Sequence, residues 1–216
     1  MVKIYLVRHC QTLGNVNRMF QGCTDTEPSE EGLKQLELLA LRFRNVHLDK
    51  IYSSNLGRAV KTAQAINKYH NIEHIELEGI REINVGKIDG MDWKKIPEKY
   101  PEFAKLWNDQ PQDFISDGGE TMREVFNRVS RTFDEIVSEN EGKTVAIVSH
   151  GCALRNLMCY CLNKPIEELN SVDFGSNTAV SLVVVEDGVR RVVIQNDVSH
   201  IPGVHSKPHS ARFTIK

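Results

Sequence analysis

The sequence has no long apolar run, no low-complexity tract and no excess of either charge. A membrane-spanning helix needs about 18 consecutive apolar residues, and no stretch approaches that length. Met1 leads directly into a predicted strand without a secretory leader. A net charge of −2 argues against general nucleic-acid binding. We therefore expect a cytoplasmic protein with no membrane or nucleic-acid partner.

Cysteine is scarce and irregularly spaced, at positions Cys10, Cys23, Cys152, Cys159 and Cys161. An odd number of cysteines in a chain of 216 residues predicts reduced thiols, not a disulfide framework. Cys159 and Cys161 have no second ligand pair at zinc-finger spacing, so structural zinc is disfavoured. In the tail, His200, His205 and His209 stand among proline and glycine, which is more typical of solvated histidines than of metal ligands.

Strand and helix patterns alternate along the chain, as expected for one α/β domain over residues 1–216. Apolar runs predict strands at 3–7, 49–53, 73–77 and 144–149, and a hairpin spans 178–195. Helical spacing begins after Ser29, and the residues expected to face the sheet are Leu33, Leu36, Ala40 and Phe43. Residues 89–118, rich in proline, tryptophan and aspartate, predict a lid-like excursion from the sheet.

Two of the predicted strands run directly into a histidine. The first strand is followed by Arg8 and His9, and the strongest buried-strand pattern ends at Ser149 and His150. Neighbouring parallel strands would bring both histidines to one edge of the sheet, where open α/β folds place their sites. The pattern favours a functional site, and our hypothesis is that His9 is a nucleophile.

A third basic residue, Arg58, falls in the first turn of another predicted helix. Ser53, Ser54 and Asn55 are the expected capping oxygens of that helix, and its buried side carries Ala59, Ala63 and Ile66. A cation there opposes the helix dipole, which suggests a nearby anion. Taken alone, however, a solvated surface arginine is the favoured interpretation.

Five candidates share positions at strand ends or helix starts: Arg8, His9, Arg58, Glu82 and His150. Two arginines can clamp the oxygens of a phosphate, and a protonated His150 would donate one more hydrogen bond. A neutral nitrogen of His9 could then attack phosphorus in line. The set predicts a pocket for a small phosphorylated metabolite.

The order of motifs resembles the histidine phosphatase superfamily, the phosphoglycerate mutase-like proteins, over nearly the whole chain. The motifs are Leu6-Val7-Arg8-His9-Cys10-Gln11-Thr12, Ser53-Ser54-Asn55-Leu56-Gly57-Arg58-Ala59, Arg81-Glu82-Ile83-Asn84-Val85-Gly86, Gly118-Gly119-Glu120-Thr121 and Val148-Ser149-His150-Gly151. The resemblance implies a three-layer α/β/α sandwich with a mixed, mostly parallel central sheet.

The resemblance also implies roles for single residues. His9 would become a phosphohistidine, Glu82 would act as general acid and base, and Arg8, Arg58 and His150 would hold the phosphate. Contacts to phosphate or substrate are implied, less securely, for Thr12, Asn15, Gln21 and Gly22. No metal and no other cofactor is required.

Two residues depart from the family pattern. Cys10 replaces the usual glycine, and a left-handed backbone there would cost roughly 1–2 kcal/mol. Its thiol beside a cationic pocket predicts a lowered pKa and sensitivity to oxidation. Gln11 replaces the usual glutamate, a loss of charge whose effect the sequence does not specify.

Three functions remain open at this stage. A metal-independent phosphomonoesterase is favoured, because Gly57 and the residues Ile83-Asn84-Val85 differ from the mutase branch. The alternatives are a cofactor-dependent phosphoglycerate mutase and a non-catalytic module that binds a phosphorylated ligand. The sequence specifies neither the substrate nor the oligomeric state, and a homodimer is one option.

Overall fold

The computed structural model describes residues 1–203 and 212–214. Its strands are β1 (Val2–Arg8), β2 (Met19–Phe20), β3 (Lys50–Ser54), β4 (His74–Leu77), β5 (Met91–Asp92), β6 (Thr144–Ser149), β7 (Val180–Glu186) and β8 (Val189–Asp197). Its α-helices are α1 (Leu13–Val16), α2 (Glu30–Phe43), α3 (Gly57–Asn67), α4 (Ile96–Lys99), α5 (Pro101–Asp109), α6 (Met122–Glu139) and α7 (Gly151–Cys161).

Six strands form the central sheet in the order β4-β3-β6-β1-β7-β8. The first four are parallel, whereas β7 pairs antiparallel with β1 and continues through a hairpin into β8. Strands β1 and β6 are neighbours in register, with Arg8 opposite Ser149. The predicted mixed, mostly parallel sheet is confirmed, and the residues that follow β1 and β6 emerge side by side.

Helices cover both faces of this sheet. On one face α2 and α3 pack Leu39, Phe43 and Ala63 against the strands, and on the other α6 and α7 contribute Phe133 and Leu157. These two clusters fill the spaces between the central sheet and the helical layer on each side, as predicted for a three-layer sandwich. Burial of apolar side chains on both faces explains why the parallel strands read as continuous aliphatic runs.

One prediction about a helix face and one about the tail histidines need correction. Leu33 is 56% exposed, because the buried side of α2 runs through Gly32, Gln35 and Leu39 instead. The prediction that the tail histidines are solvated is wrong for His200, which is part-buried and hydrogen-bonded to Arg42 and Thr178. The predictions for His205 and His209 lie outside the described residues.

The excursion at 89–118 leaves the sheet and packs beside its carboxyl edge. Strand β5 pairs with β2, which ties the excursion to the loop after β1. Trp107 and Phe114 are buried in an aromatic cluster that also includes Phe20 and Phe213. Asn108 fixes Phe213 by two hydrogen bonds, from the Phe213 amide and to its carbonyl. The C-terminal segment is thereby docked on the excursion.

Candidate active site

A cavity of about 610 Å³ opens at the carboxyl ends of β1 and β6. All five candidates except His150 line it directly, and His150 lies against His9 with ring centroids 5.2 Å apart. The remaining walls come from the loop after β1, the excursion and the C-terminal segment. The structure therefore brings together the residues that the sequence placed at separate strand ends.

His9 is held as a neutral imidazole. Its Nδ1 lies 2.7 Å from the backbone oxygen of Cys10, an acceptor, so Nδ1 carries the hydrogen and Nε2 keeps its lone pair. Burial, together with the charges of Arg58 and Arg8, lowers the pKa of His9 well below its usual range. An unprotonated nitrogen at neutral pH is the form that can attack phosphorus.

His150 is also neutral, which corrects the expectation that it is protonated. The Nε–H of Arg58 donates to His150 Nδ1 over 3.2 Å, which places the ring hydrogen on Nε2. Burial and the nearby Arg58 lower the pKa of His150 well below its usual range. Its buried Nε2 has no hydrogen-bond partner among residues 1–203 and 212–214. The ring still offers one donor, although it carries no charge.

Arg58 is 1% exposed, so its interpretation as a surface arginine is wrong. Its guanidinium also donates to the carbonyls of Thr24 (2.9 Å) and Gly22 (2.7 Å) and pairs with Asp25 Oδ1 at 3.1 Å. These bonds fix the group and leave one Nη2 hydrogen without a partner in the described part of the chain. That hydrogen is available to a phosphate oxygen.

Asp25 supplies the start of α3, a role that the sequence had assigned to Ser53, Ser54 and Asn55. The helix cap, Leu56, has no side-chain capping bond, and the Asp25 carboxylate instead accepts the amides of Gly57 and Arg58. A carboxylate at the N-terminus of a helix offsets the unfavourable position of the arginine. Sequence spacing could not reveal a cap contributed by a distant loop.

Arg8 approaches α7 closely. Its Nη1 donates to the Gly175 carbonyl at 2.6 Å, and its buried Nε has no hydrogen-bond partner within the described ranges. A Cβ atom at Gly151 would lie 3.3 Å from Arg8 Cζ. The glycine therefore lets the guanidinium lie flat against the helix start, beside His150.

Glu82 sits at the N-terminus of α7. Its Oε1 accepts the amides of Ile83 and Ala153, both at 3.0 Å, and its Oε2 accepts the amide of Cys152 at 3.1 Å. A carboxylate offers about four lone-pair sites, so Oε2 retains room for a proton. The carboxyl group is thus fixed in the cavity wall between the turn after β4 and the helix that follows His150.

The loop residues predicted from the resemblance divide into two sets. Asn15, Gln21 and Gly22 line the cavity, whereas Thr12 is fully buried and donates its hydroxyl to Gln21 and Asn15. Asn177, which the sequence analysis missed, donates to the His9 carbonyl at 3.0 Å and to Asn15 at 3.3 Å. A lone asparagine just before the predicted hairpin carries no sequence signal for this role.

Cys10 lies behind the site rather than in it. It is fully buried, its amide donates to Thr62 Oγ1 at 3.1 Å, and burial raises the pKa of its thiol. The predicted lowering of that pKa is therefore wrong. The backbone φ angle of Cys10 is not positive, so the residue does not adopt the left-handed conformation that would strain it. Gln11 also points away and accepts a hydrogen bond from Ser29.

The outer part of the cavity is cationic and aromatic. Arg18, Lys94 and Arg212 line it together with Met19, Phe20, Trp93, Trp107 and Phe174. Among the described residues that line the cavity, Glu82 is the one acidic side chain. Three exposed cations in addition to Arg8 and Arg58 exceed what a single phosphate requires.

A family model described as the histidine phosphatase superfamily (branch 1) matches residues 4–198. The chain belongs to this superfamily. Among the relatives of this histidine phosphatase is phosphoserine phosphatase 1 of Hydrogenobacter thermophilus, 34% identical over 98% of this chain and 100% of that protein. A metal-independent phosphoserine phosphatase of Arabidopsis thaliana is 31% identical over 94% of this chain and 84% of that protein.

Among solved structures, Bacillus stearothermophilus YhfR is similar to this histidine phosphatase with a TM-score of 0.89 and 32% identity. The match covers 93% of this chain and 99% of that chain. The predicted family and fold are confirmed. No helix in the described part of the chain is long and apolar enough to cross a membrane, and no group of three or more potential metal ligands occurs there.

Proposed function

We propose that this histidine phosphatase hydrolyses phosphate monoesters of small organic acids through a phosphohistidine on His9. The observation that carries the proposal is the pairing of a neutral His9, whose Nε2 is free to attack, with donors on Arg8, Arg58 and His150. The family membership and the phosphatase relatives confirm the predicted class of enzyme, a phosphomonoester hydrolase.

In the first step, the lone pair of His9 Nε2 forms a bond to phosphorus as the bond from phosphorus to the ester oxygen breaks. The arginines and the Nε2–H of His150 stabilise charge on the three non-bridging oxygens. Protonated Glu82 gives its proton to the leaving oxygen, so the product departs as an alcohol. The hydrogen bond from His9 Nδ1 to the Cys10 carbonyl orients the ring throughout.

In the second step, water replaces the departed alcohol. Ionised Glu82 takes a proton from that water as its oxygen attacks phosphorus, and the bond from phosphorus to His9 Nε2 breaks. Inorganic phosphate leaves, His9 is again neutral, and Glu82 is again protonated. The balance needs no metal or redox partner.

The outer cations support an acidic leaving group. Arg18, Lys94 and Arg212 line the cavity as exposed cations in addition to the predicted phosphate-binding groups, and a carboxylate on the leaving group would form charge-assisted hydrogen bonds with them. Phosphoserine, which appears in the names of two relatives, carries such a carboxylate. We therefore place phosphoserine first among candidate substrates.

A panel of phosphate esters tests this proposal. We expect kcat/KM to be highest for phosphoserine, lower for neutral sugar phosphates, and lowest for phosphoethanolamine, which lacks the carboxylate and presents its ammonium to the three cations. Phosphate release is measured directly, and 3-phosphoglycerate is included with and without a bisphosphoglycerate primer. Primer-dependent isomerisation without phosphate release would favour a mutase, whereas binding of phosphate without turnover of any ester would favour the binding module.

The lid stays a prediction. Trp93, Lys94 and Trp107 of residues 89–118 line the cavity, which supports a lid within a single domain over 1–216. We expect substitution of Trp93 by alanine to raise KM more than it lowers kcat.

The oligomeric state also stays a prediction. Sedimentation at several protein concentrations distinguishes a monomer from the homodimer.

A further inference from the structure

The motif Gly118-Gly119-Glu120-Thr121 has no part in binding the phosphate, yet Glu120 makes a nearly buried ion pair. Arg128, in α6, donates to Glu120 Oε1 through Nε at 2.6 Å and to Oε2 through Nη2 at 3.0 Å. Their side chains are 16% and 25% exposed. Bidentate geometry of this kind is stronger than an exposed surface pair and fixes the plane of the guanidinium.

The same guanidinium binds the backbone that carries the predicted general acid. It donates to the carbonyls of Gly79 (3.2 Å), Arg81 (2.8 Å) and Glu82 (3.1 Å). All five N–H donors of Arg128 are therefore engaged. Gly79 lies in a short 3-10 helix, Glu78–Ile80, and Arg81 and Glu82 lie outside any helix or strand, so these bonds fix a segment with little regular secondary structure.

Glu120 holds the other side of this segment. Its Oε2 accepts the amide of Asn84 at 2.9 Å, and its own amide donates to the Asn84 carbonyl at 2.8 Å. The approach depends on Gly119, because a Cβ there would lie 2.4 Å from the Asn84 oxygen. The motif thus presses directly against the backbone two residues beyond Glu82.

We propose that Arg128 and Glu120 are positioning residues that hold the main chain of Glu82, so that its carboxyl group stays aimed at the leaving oxygen. The inference rests on the proposed function. The amides of Cys152 and Ala153 fix the carboxylate end of Glu82, and the ion pair fixes its backbone end. A misplacement of about 1 Å at such a group costs on the order of 10²-fold in rate.

The test compares two substrates whose leaving groups differ in their need for a proton. The alcohol of phosphoserine leaves poorly without one, whereas p-nitrophenolate leaves readily as an anion. For Arg128→Met we expect kcat/KM for phosphoserine to fall by at least about tenfold more than kcat/KM for p-nitrophenyl phosphate, because general acid catalysis contributes about 10²–10⁴-fold. The inhibition constant of inorganic phosphate should stay the same, since the phosphate-binding groups are untouched.

Three variants calibrate this ratio. Glu82→Gln removes the acid itself and should give the largest selective loss. Arg128→Lys keeps the charge but not the planar fork, so it should resemble the methionine variant. Arg123→Met is the matched control, since Arg123 lies on the same helix and pairs with Glu167 at 2.9 Å without touching the segment of Glu82. This variant should leave kcat/KM for both substrates unchanged.

An equal loss for the two substrates, or no loss, would overturn the inference. If Arg128→Met does not fold, Glu120→Gln provides the second variant, because it keeps the size of the side chain and weakens the ion pair. The same selective loss is expected for it, and its absence would count against the inference. Failure of the proposed function would look different, since the unmodified protein would then hydrolyse neither ester.

Discussion

At the scale of a residue, His150 offers a hydrogen-bond donor without carrying a charge. The Arg58 Nε–H occupies Nδ1 and the buried surroundings disfavour a second proton, so the ring is neutral with its hydrogen on Nε2. A neutral donor avoids a third buried cation beside Arg8 and Arg58.

His9 itself gives the first prediction. His9→Asn should lower kcat for phosphoserine by at least about 10³-fold, because removal of a nucleophile disables the covalent step. Brief incubation with ³²P-labelled substrate followed by alkaline denaturation should label the unmodified protein and not the variant. His47→Asn, at an exposed position far from the cavity, is the control. Labelling that persists in His9→Asn would exclude His9 as the nucleophile.

Cys10 gives the second prediction. Because its thiol is fully buried with a raised pKa, brief treatment with hydrogen peroxide should leave kcat/KM within about twofold of the untreated value. Activity is compared before and after a thiol reductant is added. Cys23, which is part-buried, is replaced by serine as the control. A reversible loss that persists in Cys23→Ser and disappears in Cys10→Ser would show that Cys10 is reactive.

At the scale of an element, α3 depends on a residue outside itself. Asp25 accepts amides at the helix start and pairs with Arg58. Asp25→Ala should lower the free energy of unfolding by about 1–2 kcal/mol, as for other lost caps, and should raise KM because Arg58 loses an anchor. Urea denaturation and steady-state kinetics measure the two effects.

Ser29 provides the matched comparison. Its hydroxyl accepts the Gly32 amide at 3.0 Å and caps α2, away from the cavity. Ser29→Ala should cost about 1 kcal/mol of stability while kcat and KM stay the same. A normal KM in Asp25→Ala would show that the cap does not support the position of Arg58.

Elements with long aliphatic periods were predictable because burial on both faces dictates their composition. Strand β6 was placed to the residue, and all of its residues after Thr144 are buried. The prediction that Leu33 is buried was wrong because a leucine on a helix can face solvent at little cost. The bounds of β3 and β4 moved by one residue, which is the usual uncertainty at strand ends.

The site was predictable where a side chain follows a strand, since sheet topology then fixes its neighbours. His9, His150 and Arg8 belong to that group. What could not be predicted depends on contacts between distant segments, such as Asp25 with Arg58 or Arg128 with Glu82. The charge of His150 is of the same kind, because a pKa is set by neighbours in space.

At the scale of the whole molecule, buried neutral histidines couple stability to pH. The pKa values of His9 and His150 lie well below the usual value, and that of His200 is lowered to about 4, mainly by burial. As pH falls below about 6.5, these histidines therefore bind protons in the unfolded chain but stay neutral in the folded protein. Their contribution is complete above pH 6.5 and is lost as pH falls toward each folded pKa.

His200 isolates this effect from the active site. Each such histidine adds about 1 kcal/mol per pH unit to the decline in unfolding free energy between pH 6 and 5. His200→Asn should therefore reduce that slope by about 1 kcal/mol per unit, whatever its effect at pH 8. Urea denaturation at half-unit intervals measures the slope. Parallel curves for the two proteins would contradict the prediction.

The place of β1 in the sheet has a consequence for biosynthesis. Strand β1, which His9 follows, is synthesised before the strands that pair with it, since β6 and β7 come about 140 and 180 residues later. Nearly the whole chain must therefore be made before this strand is paired on both sides. Such long-range pairing slows folding and leaves an aliphatic edge exposed in the interval. The strand that leads into the proposed nucleophile therefore stays unpaired for most of the synthesis of the chain.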